Sequence, residues 1–256
     1  MKLVLFDIDG TILLTDGAGR RAIHRALTEV FGRTGPADHR FDGKTDPQIV
    51  RELMRLAGST DDQIDMEMQA VFRLYLRFLR EELSSPMHRP FALPGIRELL
   101  DALEARDDTV LGLLSGNLEA GAHAKLESVG IDPRRFVVGA FGSDHESRRE
   151  LPAVARRCLE DATGILVDGP DIVVIGDTPA DIECGRSLGV RAIGVATGSH
   201  TASQLAACLP ASVFDDLSDT RAVVAAILGC DPAAGISRLP DPLSATGSDP
   251  TAPSRD

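Results

Sequence analysis

The chain opens on a short apolar run, Leu3 to Phe6, that breaks into the acidic, glycine-containing turn Asp7-Ile8-Asp9-Gly10. A run of that length with that ending reads as a buried parallel strand. Ala22, Ile23, Ala26, Leu27, Val30 and Phe31 then recur at helical spacing, and Gly32 stops the pattern. Residues 36–45 are polar and turn-rich, and Pro47 is placed to begin a helix that carries Ile49, Leu53, Met54, Leu56 and Ala57 to Gly58. Ile64, Met68, Val71, Tyr75 and Phe78 mark one face of a long helix from about residue 61 to 82. Residues from about 15 to 85 thus read as an all-helical block, with helices joined by turns and no strand.

After Pro94 the rhythm changes. A helix with Ile96, Leu99, Leu100 and Leu103 leads to a strand over 109–114, followed by Ser115-Gly116-Asn117 and a helix over 118–129. Residues 136–138 form a short candidate strand and 151–162 a helix. The apolar strand 172–175 ends in Gly176-Asp177 and is followed by a helix over 180–188. Strands at 191–195 and 213–214 and a helix over 220–228 complete the pattern. Alternation of this kind implies a Rossmann-like α/β fold, a parallel sheet with helices on both faces. The helical block interrupts it directly after the first strand, as a small all-helical domain over 15–89 inserted into a core of 1–14 and 90–230. Residues 231–256, rich in Pro, Asp, Ser and Gly, read as a disordered tail. There is no internal repeat.

Composition narrows the function classes. The 256 residues are 43% hydrophobic, enough for a sizeable core, and carry a net charge of −12. That surface repels phosphate backbones and anionic membranes, which argues against nucleic-acid and membrane partners. No stretch reaches the roughly 20 apolar residues that span a bilayer. With no Trp and one tyrosine, Tyr75, the chain has few aromatic stacking platforms. The four cysteines show no C-x-x-C pair, so neither a zinc site nor a disulfide framework is expected, and a reducing compartment fits. With no basic, apolar and cleavage-site leader at the start, the cytoplasm is the expected location. The histidines form no H-x-x-x-H pair. Only Lys2, Lys44 and Lys125 are lysines among 27 basic residues, and Asn117 is the sole asparagine.

Ligands of open parallel sheets bind beyond the carboxyl ends of the strands. Three predicted strands end there in polar residues: Asp7-Ile8-Asp9-Gly10-Thr11, Ser115-Gly116-Asn117 and Gly176-Asp177-Thr178, with Asp181 one helical turn later. If these strands are neighbours, Asp7, Asp9, Asp177 and Asp181 converge and repel one another unless a cation sits among them. Oxygen-only donors suit a hard ion, foremost Mg²⁺.

These three segments, in this order and each after a predicted strand, resemble motifs one, two and four of the haloacid dehalogenase-like hydrolases. The helical insert is similar to the small cap of the phosphoglycolate phosphatase-like branch. The resemblance covers nearly the whole chain except the tail. It implies a Mg²⁺-dependent phosphatase acting on a small soluble phosphate monoester, expected as a monomer or homodimer. Asp7 would be the nucleophile that forms an aspartyl-phosphate. Asp9 would protonate the leaving alcohol and later activate water, its main-chain carbonyl facing the metal. Asp7 and Asp177 would be direct metal ligands, and Asp181 a ligand directly or through water. Ser115 would bond a phosphoryl oxygen, with amides of Gly116 and Asn117 adding donors, and Thr11 would orient the loop after the nucleophile near the substrate.

Motif three, a Lys or Arg pairing with nucleophile and phosphate, has no Lys-Pro here. The position reads Ser147-Arg148-Arg149-Glu150-Leu151, which favours Arg148, with Arg149 adjacent and Lys125 as the competitor. The bland alternatives are a solvated arginine pair and a lysine that covers apolar surface on its helix. Lys44, in the insert loop Phe41-Asp42-Gly43-Lys44-Thr45-Asp46, stands where a substrate contact or a plain loop residue would. Rival readings on the same fold are a dehalogenase, which typically lacks the second acid that Asp9 supplies, a phosphomutase, a phosphonate-cleaving enzyme dependent on Lys44, and a non-catalytic phosphate-binding protein.

Overall fold

Why the chain places polar residues at one edge is clearest from its sheet. In a computed structural model, which describes residues 1–87 and 89–230, six parallel strands run in the order β5-β4-β1-β6-β7-β8. They are β1 (Lys2–Phe6), β4 (Thr109–Ser115), β5 (Val138–Phe141), β6 (Ile172–Gly176), β7 (Arg191–Val195) and β8 (Ser212–Phe214). A separate two-stranded antiparallel ribbon joins β2 (Leu13–Leu14) to β3 (Phe91–Ala92). The helices are α1 (Ala18–Phe31), α2 (Asp46–Leu56), α3 (Asp61–Leu83), α4 (Ile96–Glu104), α5 (Glu119–Ser128), α6 (Leu151–Thr163), α7 (Pro179–Cys184), α8 (Ala202–Ala206) and α9 (Thr220–Leu228). This is the parallel α/β architecture expected from the sequence.

Because side chains alternate across a strand, β1 feeds two apolar layers. Val4 and Phe6 pack with Leu99 and Leu103 of α4, Leu126 of α5 and Ile227 of α9. Leu3 and Leu5 face the other way, against Leu151, Ala155 and Leu159 of α6. Both faces are covered, which is why the central strands are continuous apolar runs. A third cluster belongs to α1, α2 and α3, where Ala22, Leu27, Leu53, Val71 and Leu79 pack together. Local signals set those helices: α2 begins at Thr45, whose hydroxyl accepts from the Gln48 amide, and Thr60 and Gln63 form a reciprocal capping box on α3. Gly32 ends α1 in the left-handed region.

Some elements differ from the sequence reading. The strand expected at 136–138 lies at Val138–Phe141, because Pro133–Arg135 form a 3₁₀ turn and pairing with β4 begins only at Gly112 and Val138. The helix expected over 180–188 ends at Cys184, and Arg186–Leu188 continue as a 3₁₀ turn after Gly185. The β2–β3 ribbon at the root of the three helices and the short α8 carry too few residues for a periodic signature. The tail expected over 231–256 lies outside the described residues.

The cluster formed by α1–α3 is tightly closed around Leu27, which is fully buried. Leu27→Ala is expected to cost about 2–5 kcal/mol of unfolding free energy, read by denaturant titration, as for other large-to-small core replacements.

Candidate active site

The strand order makes β1 the neighbour of both β4 and β6, so the three polar strand ends lie side by side. Register fixes their level: Phe6 pairs with Leu113 and with Ile175, leaving Asp7 just past the pairing and its amide donating to the Ile175 carbonyl at 2.9 Å. Gly10 then turns the chain at φ +90°. A Cβ there would lie 2.5 Å from the Asp177 carboxylate, so the turn requires glycine for conformation and for space.

Asp7, Asp177 and Asp181 are all buried, and one carboxylate oxygen from each lies within 4.8 Å of the others. Arg148 is the cation among them. Its Nη2 donates to Asp7 Oδ1 at 2.7 Å, to Asp181 Oδ1 in a shorter contact, and to the Leu114 carbonyl at 3.4 Å. Arg148 reaches this point from a 3₁₀ turn, Arg148–Glu150, that leads into α6, and is 7% exposed, whereas Arg149 is exposed. Asp181 is held by its own helix start: its carboxylate accepts from the Thr178 amide at 3.0 Å and the Thr178 hydroxyl at 2.6 Å. Thr11 is buried and donates to Asp177 Oδ1 at 3.3 Å. The expected substrate-side residue is therefore placed against a carboxylate.

Burial pushes the Asp7 carboxyl up to about 7, against the pull of Arg148 and with Asp181 adding to the rise. Burial, with Asp7 and Asp181 as neighbours, pushes Asp177 up to about 9. Burial works against the Arg148 charge, but Asp181 and Asp7 outweigh it and hold the guanidinium above its ordinary value. When all three carboxylates are ionised, one guanidinium leaves an excess of negative charge in a buried site. An all-oxygen, anionic donor set of this size fits a hard divalent cation, and the residues available to hold it are Asp7, Asp177 and Asp181.

Asp9 belongs to a second, adjoining network. Its Oδ2 accepts from Lys125 Nζ at 2.6 Å and from Asn117 Nδ2 at 2.8 Å. Lys125 also donates to Asn117 Oδ1 at 2.6 Å, and Asn117 Nδ2 donates to Ser115 Oγ at 2.8 Å. Lys125 is 4% exposed, and its amine reaches from α5 to Asp9 and Asn117 rather than to solvent. Its partner is Asp9, and that of Arg148 is Asp7, which separates the two motif-three candidates. The weak apolar pattern of α5 gave no sign of this inward turn.

Both networks open into a cavity of about 750 Å³ between the sheet edge and the helical insert. Ser115, Gly116, Asn117 and Lys44 line it, together with Arg20 and Tyr75, which sequence reasoning passed over. The Lys44 amine is turned toward Glu52 at 2.5 Å and His39 at 3.2 Å, within the insert. Asp46 was missed as well. It is buried where α2 meets the core, and burial pushes its carboxyl up to about 6 against the lowering effect of Lys125. In sequence it looks like an ordinary acidic residue of a first helical turn.

Comparison with known proteins agrees with this fold. The family model described as haloacid dehalogenase-like hydrolase matches residues 4–186. The chain is 28% identical over 229 residues to a phosphoglycolate phosphatase from Synechococcus elongatus, covering 89% of this chain and 99% of that one. It is 28% identical over 231 residues to the probable phosphatase IndB from Dickeya dadantii, covering 88% and 94%. The crystal structure of a predicted phosphoglycolate phosphatase from Haemophilus somnus shares the fold, with a TM-score of 0.64 at 22% identity over 88% of this chain and 98% of that one. With its family motifs at three adjacent strand ends and the family model spanning most of its length, the chain belongs to the haloacid dehalogenase-like hydrolases.

Proposed function

We propose that the protein is a Mg²⁺-dependent phosphatase that hydrolyses a small soluble phosphate monoester through an aspartyl-phosphate on Asp7, in the manner of a phosphoglycolate phosphatase. The observation that carries this reading is the placement of Asp7 at the end of the central strand, paired with Arg148 and grouped with Asp177 and Asp181, with Asp9 facing the same cavity. The kinship with proteins named phosphoglycolate phosphatase and phosphatase supports it.

The chemistry divides among the residues as follows. An Asp7 oxygen attacks phosphorus as the ester P–O bond breaks, and Asp9 gives its proton to the departing alkoxide. Water then attacks the phosphorus of the aspartyl-phosphate, its proton passes to Asp9, and the bond to Asp7 breaks, releasing phosphate and restoring both acids. Arg148 orients Asp7 and, with the Ser115 hydroxyl and the amides near Asn117, meets phosphoryl oxygens. Asp7, Asp177 and Asp181 would hold Mg²⁺, which when bound supplies positive charge that offsets repulsion between nucleophile and phosphate. Among the described residues no helix is long and apolar enough to cross a membrane. Cytoplasmic location, a monomer or homodimer, and a cap function for residues 15–89 complete the reading.

Asp7→Asn is expected to abolish turnover of p-nitrophenyl phosphate while circular dichroism stays native; retention of more than about a few per cent of kcat would overturn the nucleophile assignment. Arg148→Ala should lower kcat/KM on the same ester by about 10²-fold or more, and Lys125→Ala by much less, because only Arg148 pairs with Asp7. The reverse ranking would exchange their roles.

Metal binding should also depend on pH. The unfolded carboxyls ionise near 3.8 and the folded Asp7 and Asp177 at about 7 and about 9, so the folded state holds extra protons in between. Metal-free stability therefore falls as pH rises through that window, and Mg²⁺ binding must displace those protons. The Tm gain on adding Mg²⁺ is expected to be larger at about pH 8.5 than at about pH 6. An equal or smaller gain at the higher pH contradicts the proposed ligand set.

A further inference from the structure

Asp46 stands outside the chemistry described so far, yet it is where the helical insert grips the core. Its amide donates to the Gly116 carbonyl at 2.7 Å, and its Oδ2 accepts from the Leu118 amide at 2.8 Å. One residue of the insert thereby holds the peptide groups on both sides of Asn117. The approach is close: a Cβ on Gly116 would meet the Lys44 carbonyl and lie 2.9 Å from Thr45 Cα. Leu118 occupies the N-cap position of α5, and Gly121 at the third helical position has no side chain to bond back to the Leu118 amide, so Asp46 supplies from another layer the acceptor that a capping box provides locally. The Asn117 carbonyl is tied a third way, by the Gly142 amide at 2.9 Å. Asn117, fixed in this manner, bonds Asp9 through Nδ2 and Lys125 through Oδ1, and Lys125, two helical turns along α5, bonds Asp9 directly.

We infer that Asp46 is a positioning residue for proton transfer: docking of the insert through Asp46 sets Asn117, and through Asn117 and Lys125 it sets Asp9 against the leaving-group oxygen. The inference rests on the reading of Asp9 as the proton donor. In the step concerned, an Asp7 oxygen bonds to phosphorus, the ester P–O bond breaks, and the departing oxygen takes the Asp9 proton. A leaving group that is already a stable anion has little need of that proton, whereas a more basic one depends on it. Misplacing Asp9 therefore discriminates between esters, and a general loosening of the fold does not.

The experiment compares kcat on phenyl phosphate and on 2,4-dinitrophenyl phosphate in the full chain with Mg²⁺. Asp46→Ala is expected to lower kcat on phenyl phosphate by about tenfold or more and to leave the dinitrophenyl ester within about threefold. Asp46→Asn, whose side-chain oxygen still accepts from Leu118, should recover most of the loss. Asn117→Ala, which also frees Ser115, should lower both rates but lose clearly more on phenyl phosphate than on the dinitrophenyl ester, which keeps the test decisive if Asp46→Ala does not fold. Equal losses on both esters, or no recovery in Asp46→Asn, overturn the inference. Hydrogen exchange at the Leu118 amide provides a readout without turnover: protection should fall in Asp46→Ala and persist in Asp46→Asn, and unchanged protection in the alanine variant also overturns it. Failure of the unaltered protein to hydrolyse either ester would count against the phosphatase reading itself, while the exchange measurement still decides the contact.

Discussion

Three carboxylates, Asp7, Asp177 and Asp181, are packed within reach of one another in the interior and share the single guanidinium of Arg148. Charge of one sign held out of water is costly, and the rest of the structure is arranged around containing that cost. Burial raises the Asp7 and Asp177 carboxyls, so without a further cation some of the negative charge is relieved by protonation. Thr11 and Thr178 contribute hydrogen bonds, and glycine at position 10 lets the Asp177 carboxylate approach the loop after β1. The site is a crowded group of acids whose donor set suits a hard cation.

The scaffold makes that crowding possible. β1 is central and both its faces are buried, so its position is fixed by two apolar layers. A carboxylate at its carboxyl end has little freedom to move away from charged neighbours. With β4 and β6 in register on either side, Ser115 and Asp177 follow from the same pairing that places Asp7. The helical insert borders the cavity and is bonded to the core through Asp46. Thr45 adds a bond to the Glu146 carbonyl at 2.6 Å, and Arg51 an ion pair to the Glu146 side chain.

Scarce lysine in an acidic chain proves informative in the folded molecule. Each lysine is committed to a carboxylate: Lys2 to Asp171, Lys44 to Glu52 and Lys125 to Asp9. Only the last bonds an acid that follows the end of β1. Lys44 lines the cavity but directs its amine into the insert, where Glu52 and His39 hold it.

The sequence by itself determined the alternating architecture, the helical interruption after the first strand, and the identity of the acidic residues, because these depend on periodicity and on short motifs at strand ends. Asp7, Asp9, Asp177 and Asp181 were legible since each lies within a few residues of its strand. What it left open was which of Arg148, Arg149 and Lys125 reaches Asp7, the contact made by Thr11, and the existence of Asp46 as a link between layers. Those depend on side-chain direction and on partners about 30 to 170 positions away along the chain, such as Arg148 with Asp181 and Thr11 with Asp177. A helix with little apolar bias, such as α5, gives no sign of which face turns inward. Tertiary structure decided these points because the energy of a buried charge depends on the distance and orientation of its partners, and spacing along the chain specifies neither.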